Sequence, residues 1–200
     1  MNQTVFLPQS IEAYNSLQKI PPDHLNIMGS VNDTQFYGLD SWAMVLVQGC
    51  LQRFQSCVDP KTWSFEINKL VSVEKLAAKV LSNPCNQGVI LSGGEPFWQA
   101  RSLVKLAREM KANGLFVISF TGFTLEKLAS PTAPLGAREL IDWLDILIAG
   151  PYLPSLAIST PDSPLSSRNQ RVHIFNSALK DKISWGDPQA ETNNLPEIFR

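Results

Sequence analysis

Short, nearly continuous apolar segments recur along this chain at residues 42–47, 88–91, 115–120 and 144–149. Runs of this kind are typical of strands that are buried on both faces of a parallel sheet. The segments between them carry apolar residues at helical spacing. Because strands that alternate with helices form parallel β/α units, the pattern predicts an α/β fold.

The segments between the apolar runs also carry signals for where helices begin and end. Ser72 and Thr124 are suitable N-caps, and Gly114 stands where a left-handed residue is wanted at a helix end. The predicted helices cover residues 72–81, 96–112, 124–128 and 137–143. Each of the later strands is therefore expected to follow a helix.

A last strand is predicted at 171–175, which gives about five β/α units. Five units are too few for a closed eightfold barrel. The predicted fold class is therefore α/β, with a partial, open, parallel β/α barrel. We expect residues 1–24 to form an N-terminal extension with one short helix, 25–185 to form the β/α domain, and 186–200 to form a polar C-terminal tail.

Composition excludes several classes of function. The chain has 200 residues, of which 44% are hydrophobic and 18% charged, and its net charge is -1. These values suit one soluble domain and predict no binding to nucleic acid or to a membrane surface. No apolar run is long enough to span a membrane, and the first residues do not resemble a secretory signal, so we expect a cytoplasmic protein. The three cysteines are expected to be free thiols or ligands, since a disulfide framework needs more.

Chemistry in parallel β/α folds lies beyond the carboxyl ends of the strands. Cys50 and Cys57 follow the first apolar run, and Gly93-Gly94 follow the second, with Pro96 opening a helix. Two cysteines at this spacing are also compatible with buried free thiols. Two glycines can equally serve a tight turn or the close approach of a ligand to the backbone.

Polar or glycine-containing segments also follow the third and fourth apolar runs. Thr121 follows the third, where the alternative is a simple helix cap at Thr124, and 150–152 follow the fourth. A further polar segment, 166–171, precedes the last predicted strand, and it is equally compatible with a solvated loop. We therefore expect a site to which several strand ends contribute.

Taken in order, these segments resemble the radical S-adenosylmethionine (radical SAM) superfamily. They are most similar to the activating enzymes of anaerobic ribonucleotide reductase and to their shorter relatives, over roughly residues 25–175. The matching segments are Val-Gln-Gly-Cys (47–50), Ser-Gly-Gly-Glu-Pro (92–96), Thr-Gly-Phe-Thr-Leu (121–125), Asp-x4-Gly-Pro-Tyr (145–152) and Ser-x-Asn-Gln-Arg (167–171).

The resemblance implies a partial barrel of the radical SAM type and two cofactors. A 4Fe-4S cluster would be held by thiolates, and S-adenosylmethionine would bind at its open iron and be cleaved reductively. The product radical would take a hydrogen atom from a glycyl radical enzyme, with a flavodoxin- or ferredoxin-type reductant as electron donor. No further catalytic residue is assigned. The implied ligands are Cys50 and Cys57 for the metal and Gly93, Gly94, Glu95, Thr121 and Asn169 for S-adenosylmethionine.

One position departs from the family pattern. The family spaces three cysteines as C-x3-C-x2-C, and Phe54 occupies the middle position here. A phenyl ring offers no ligand to iron. Cys85 precedes the second strand, about 17–20 Å away along a strand of five or six residues, so it is not expected to reach. The only histidines are His24 and His173, and the second lies in a predicted strand, where a core or surface role is expected.

Phe54 leaves three interpretations open. The protein is an activase with an irregular cluster, or a non-catalytic descendant that keeps the fold as a binding module. Otherwise it is a variant, at this one position, of a protein built for the first role. In each case we expect Phe54 to point toward the place of the missing ligand or to pack over it.

Overall fold

One open, seven-stranded sheet organises the chain. The structure is a computed structural model, and it describes residues 8–54, 56–158 and 163–183. The order of strands across the sheet is β3-β1-β2-β4-β5-β6-β7. The strands are β1 (His24–Phe36), β2 (Leu39–Val47), β3 (Lys69–Ser72), β4 (Gly88–Gly93), β5 (Phe116–Thr121), β6 (Ile146–Ala149) and β7 (Arg171–Ile174).

The four central strands, β2, β4, β5 and β6, are parallel, which confirms the α/β prediction. The expectation of parallel units throughout is wrong at both edges. β1 pairs antiparallel with β2 and β3, and β7 pairs antiparallel with β6. Tyr37 and Gly38 join β1 to β2 directly, and so tight a link permits only antiparallel pairing. Between β6 and β7 the described residues contain a single 3₁₀ turn and no crossover α-helix.

The described residues form five α-helices beside the sheet. They are α1 (Pro8–Gln18), α2 (Val73–Leu81), α3 (Ala100–Ala112), α4 (Leu125–Ala129) and α5 (Ala137–Asp142). Ser72 caps α2 and Thr124 caps α4, each accepting a bond from a backbone N–H three residues on. The helix expected from Pro96 instead begins with a 3₁₀ turn, Pro96–Gln99, and the side chain of Glu95 caps this turn by accepting from the N–H of Phe97.

Helices α2 to α5 pack on one face of the sheet, and each of the four central strands divides its side chains between two cores. Val89 and Leu91 face the core beneath α2, α3 and α5. Ile90, between them, belongs to a second core on the other face, which includes Trp42 and Leu179. The alternation is what a two-faced strand requires, so the continuous apolar runs indeed mark strands that are covered on both sides.

Asp145 fixes the amino end of β6. It lies just before the strand rather than within it, and its carboxylate is buried. It accepts hydrogen bonds from Lys111 Nζ (2.6 Å), the N–H of Val117 (2.7 Å) and Asn176 Nδ2 (2.6 Å). These contacts join α3, β5 and the segment after β7 at the end of the sheet opposite to Cys50 and Cys57.

The remaining sequence predictions concern the ends of the chain. The predicted N-terminal extension contains α1, whose Tyr14 ring contacts the Trp98 ring at 4.8 Å. The predicted C-terminal tail lies outside the described residues. Among the described helices, none combines the length and the apolar character that crossing a membrane would require.

Candidate functional site

A cavity of about 130 Å³ opens at the carboxyl ends of the parallel strands. Segments that follow β2, β4, β5 and β6 contribute to it, as expected for a parallel β/α fold. Its walls include most of the residues that the sequence singled out. They include Cys50, Phe54, Cys57, Gly93, Gly94, Glu95, Thr121, Gly150, Tyr152 and Gln170.

The two cysteines belong to residues 49–59, here called the cysteine loop. Cys50 is buried directly behind β2, and Cys57 is partly exposed. Burial, together with the nearby negative charge of Glu95, raises the pKa of the Cys50 thiol to about 11. Without a metal, Cys50 is therefore a neutral thiol at physiological pH. Any metal that binds there must displace a proton from its Sγ.

Phe54 lines the same cavity as the two cysteines. Its ring packs against that of Tyr152, with 4.8 Å between the ring centroids and 41° between the planes. The contact joins the cysteine loop to the segment that follows β6. The side chain at the family's middle cysteine position is thus built into the cavity wall by an aromatic contact.

Whether an iron–sulfur cluster fits this cavity depends on the metal-binding side chains that the cavity offers. Cys50 and Cys57 supply two thiols, and Phe54 supplies none. Within the described part of the chain, no group of three or more His, Cys, Asp or Glu side chains is placed to hold a metal ion. Cys85 is exposed in the turn before β4, so it lies at the far end of the sheet. The residues fit a cluster held by two protein thiolates, and they do not fit the family's three-thiolate cluster.

Gly93 and Gly94 bring β4 close to the start of the cysteine loop. Gly93 has a φ of 97°, and a Cβ on Gly94 would lie 2.5 Å from the carbonyl oxygen of Gly49. The N–H of Gly94 donates to Val47 (2.8 Å), and the N–H of Glu95 donates to Gly49 (2.9 Å). The glycines therefore serve a backbone-to-backbone contact in the chain itself. No hydrogen bond within the described residues uses the Gly94 carbonyl.

Glu95 connects the ends of β4 and β5. Its buried carboxylate accepts from Thr121 Oγ1 (2.9 Å), from the N–H of Gly122 (2.8 Å) and from the N–H of Phe97 (3.0 Å). Burial raises the pKa of Glu95 to about 7, and the three hydrogen bonds oppose that rise. Two of the predicted ligand residues, Glu95 and Thr121, are thus brought into direct contact with each other.

Asn169 is the one predicted residue that does not line the cavity. Its Nδ2 donates to the carbonyl of Pro151 at 2.7 Å, beside the cavity wall. The neighbouring Gln170 does line the cavity, and it holds two segments together. Its Oε1 accepts from the N–H of Ser166, and its Nε2 donates to the carbonyl of Gly150. Gln170 lies in the sequence motif at 167–171, but it was not predicted to be a site residue.

Three buried amides behind the cysteine loop were also missed, namely Asn26, Gln48 and Gln99. A signal was present for Gln48, because it is a polar residue directly after an apolar strand and directly before Gly49 and Cys50. Asn26 and Gln99 carry no such sequence signal, since their partners are distant in the chain.

Comparisons with known proteins agree with the geometry of the cavity. A family model described as "4Fe-4S single cluster domain" matches residues 38–173. That range contains the whole cysteine loop, the Gly93-Gly94-Glu95 turn and the strands that carry them.

The similar proteins include a synthase and several activating enzymes. It is 31% identical over 129 residues to 7-carboxy-7-deazaguanine synthase of Pyrobaculum aerophilum, which covers 64% of this chain and 54% of that protein. It is 34% identical over 98 residues to the pyruvate formate-lyase-activating enzymes of Staphylococcus epidermidis and Staphylococcus aureus, which covers 46% of this chain and 38% of each enzyme. The chain thus spans about half of the first relative and less of the others. It belongs to the 4Fe-4S single cluster domain family of radical SAM proteins.

Proposed function

We propose that this protein is an activase-like radical SAM protein, which cleaves S-adenosylmethionine reductively to generate a glycyl radical on a partner enzyme. The observation that carries the proposal is the composition of one cavity. It joins the cysteine loop, the Gly93-Gly94-Glu95 turn and Thr121, each placed at the carboxyl end of its own strand. Similarity to pyruvate formate-lyase-activating enzymes supports the activase branch of the family.

Cys50 and Cys57 are the residues that would hold an iron–sulfur cluster. A cluster held there would supply the electron that breaks the sulfonium bond of S-adenosylmethionine. The protein contributes the thiolates. Because the pKa of Cys50 is about 11 in the metal-free protein, its Sγ carries a proton that must leave when a metal binds. Aromatic side chains in the wall, among them Phe54, Phe120 and Tyr152, reduce access of water to the site.

The turn after β4 is the proposed contact for the methionine part of S-adenosylmethionine. The free carbonyl of Gly94 is an acceptor for its amino group. The carboxylate of Glu95 holds the turn against Thr121 and Gly122 and so adds negative charge beside that group. In this proposal Asn169 contributes indirectly to the binding of S-adenosylmethionine, because its hydrogen bond to Pro151 positions the segment beside the cavity.

The wider setting belongs to the same proposal. The four parallel strands correspond to part of a radical SAM barrel, left open at both edges of the sheet. The partner is a glycyl radical enzyme, and the electron donor is a flavodoxin or ferredoxin in the cytoplasm. Support for the partner comes from the similarity to pyruvate formate-lyase-activating enzymes, of which 38% of the length is matched.

A second candidate function follows from Phe54. Its contact with Tyr152 gives the residue a packing role in the cavity. That observation favours a non-catalytic protein that keeps the radical SAM fold and acts as a binding module. The intact turn at Gly93-Gly94-Glu95 favours the enzyme, because a protein that had long lost its activity should have lost this turn too.

Release of 5′-deoxyadenosine separates the two functions. Wild type and Phe54→Cys should be reconstituted anaerobically with iron and sulfide, reduced with dithionite and given S-adenosylmethionine, with Cys50→Ser as the control. We expect product from both proteins, and about tenfold more or better from Phe54→Cys, because the added thiolate retains the cluster. No product from either protein would refute the enzyme and favour the binding module.

A further inference from the structure

Three buried side-chain amides lie directly behind the cysteine loop. Asn26 is at the start of β1, Gln48 follows β2, and Gln99 ends the 3₁₀ turn after Glu95. Their side chains are almost fully buried, with relative exposures of 0%, 3% and 7%. Buried amides are usually retained in a core because they form hydrogen bonds, so their partners show what they hold. All three side chains donate hydrogen bonds, and of their amide oxygens only Gln48 Oε1 has no partner among the described residues.

Gln99 is the hub of the group. Its Oε1 accepts from the backbone N–H of Asn26 (2.8 Å). Its Nε2 donates to the carbonyl of Asn26 (2.7 Å) and to the carbonyl of Gln48 (2.9 Å). One side chain therefore joins the turn that follows Gly93-Gly94-Glu95 to the ends of two strands, one of which leads into the cysteine loop.

Gln48 extends the connection to the far end of the cysteine loop. Its Nε2 donates to the carbonyls of Lys61 (2.8 Å) and Ser64 (2.9 Å), which lie just after the loop. The backbone N–H of Gly49 donates to the carbonyl of Thr62 (2.8 Å) beside them. The two ends of the loop are thus closed against each other at its base.

Asn26 secures the segment that follows. Its Nδ2 donates to the carbonyl of Glu66 (2.9 Å), and its Oδ1 accepts from the N–H of Asn68 (2.9 Å). The segment between the cysteine loop and β3 is therefore held in place by the side chains of Asn26 and Gln48.

The loop itself has few bonds of its own. Apart from the bonds of Gly49 with Thr62 and Glu95 at its start and the bond of Asp59 with Thr62 at its end, its described backbone bonds are those from Cys57 to Phe54 (3.1 Å) and from Cys50 to Trp63 (3.4 Å). Arg53 adopts a φ of 38°, a conformation that a residue with a side chain rarely takes. A short loop with this strain needs its ends fixed from outside if its thiols are to stay in place.

We infer that Gln48 and Gln99 are positioning residues, which set the cysteine loop against the Gly93-Gly94-Glu95 turn. Gln48 closes the base of the loop, and Gln99 ties that base to the turn. Neither side chain lines the cavity, so each acts through the backbone that it holds. The importance of this placement for catalysis rests on the proposed function, whereas the placement itself can be tested without a cluster.

Alkylation of the thiols in the reduced, metal-free protein tests the inference. Rates with iodoacetamide would be read for each cysteine by peptide mass spectrometry, well below the unfolding midpoint, with exposed Cys85 as the internal reference. Gln48→Met keeps the length of the side chain but removes both bonds to Lys61 and Ser64. Gln99→Met is the second variant, and it keeps the inference testable if Gln48→Met does not fold.

We expect each variant to raise the rate at Cys50 relative to Cys85 by about fivefold or more, because the loop base opens locally. The double variant should show less than the product of the two effects, since both act on one connection. Asp145→Asn is the control for general destabilisation, because it weakens a buried network at the other end of the sheet, and it should leave the ratio unchanged.

Ratios within about twofold of wild type in both variants, or an equal rise in Asp145→Asn, would overturn the inference. Neither outcome bears on the proposed function, which is tested separately by the release of 5′-deoxyadenosine by wild type and Phe54→Cys.

Discussion

The ring of Phe54 lies 4.8 Å from the ring of Tyr152, centroid to centroid, and so joins the cysteine loop to the segment after β6. The family places a cluster ligand at this position in the sequence, and the present chain places an aromatic contact there. Residue 54 thus bears on two properties at once, the stability of the cavity wall and its capacity for iron.

The contact between the two rings should be measurable as a coupling energy. We expect Phe54→Ala and Tyr152→Ala to be non-additive by about 0.5–1.5 kcal/mol, the usual range for a tilted aromatic pair. Urea unfolding of the two single variants and the double variant gives this value. Strict additivity would show that the rings do not support each other in solution.

Gly94 should not tolerate a side chain. A Cβ there would lie 2.5 Å from the carbonyl oxygen of Gly49, so Gly94→Ala must push β4 away from the cysteine loop. We expect a loss of about 1–3 kcal/mol in the free energy of unfolding, as for other overpacked sites. Gly29→Ala is the matched control, because a Cβ at Gly29 meets nothing within 4 Å. Equal effects of the two substitutions would contradict the close approach.

Glu95 should give the protein a distinctive pH dependence. Its pKa is about 7 in the folded protein against 4.5 ordinarily, because burial disfavours the charge. The folded state therefore binds more protons than the unfolded state between these values, and stability falls as pH rises from 4.5 to 7, by about 3 kcal/mol from this group.

Glu95→Gln isolates that contribution, since the amide does not ionise. Urea unfolding gives the free energy of unfolding of wild type and variant at each pH. As the pH rises from 4.5 to 7, wild type should lose about 3 kcal/mol of stability relative to the variant. Parallel curves would mean that the pKa of Glu95 is ordinary. A wild type that gains stability with pH relative to the variant would mean that the hydrogen bonds from Thr121, Gly122 and Phe97 outweigh burial.

Asp145 should matter far more for folding than a surface ion pair. Asp145→Asn weakens three contacts of a buried carboxylate and leaves Lys111 without its charge partner, so we expect a loss of about 3 kcal/mol in the free energy of unfolding. Glu139→Gln breaks the pair with Arg108, in which both side chains are about half exposed, and should cost about 0.5 kcal/mol or less. Similar losses in the two variants would show that Asp145 is not a structural centre.

The central strands could be predicted because their cause is local. Residues 88–91 are apolar without interruption, and in the structure Ile90 faces one core while Val89 and Leu91 face the other. The direction of the edge strands could not be predicted in the same way. β3 is four residues long and half exposed, so it carries no periodic signal of its own, and it exists because β1 pairs with it.

The same distinction holds at the site. Cys50, Gly93 and Glu95 could be selected because each directly follows an apolar run, and strand ends converge in a parallel sheet. That rule does not say what a side chain binds once it is there. The carboxylate of Glu95 turned out to contact Thr121, and the amides of Gln48 and Gln99 found partners many residues away. Such pairings arise only when the chain is folded.

Iron and sulfide content after anaerobic reconstitution tests the central claim most directly, namely that the cavity of Cys50 and Cys57 is a cluster site. We expect wild type to bind iron, Cys50→Ser and Cys57→Ser to lose most of it, and Cys85→Ser to retain it. Phe54→Cys should approach about four irons per chain, as a third thiolate completes the family's ligand set. Iron content that is unchanged by Cys50→Ser and Cys57→Ser, or equal in wild type and Phe54→Cys, would contradict the account.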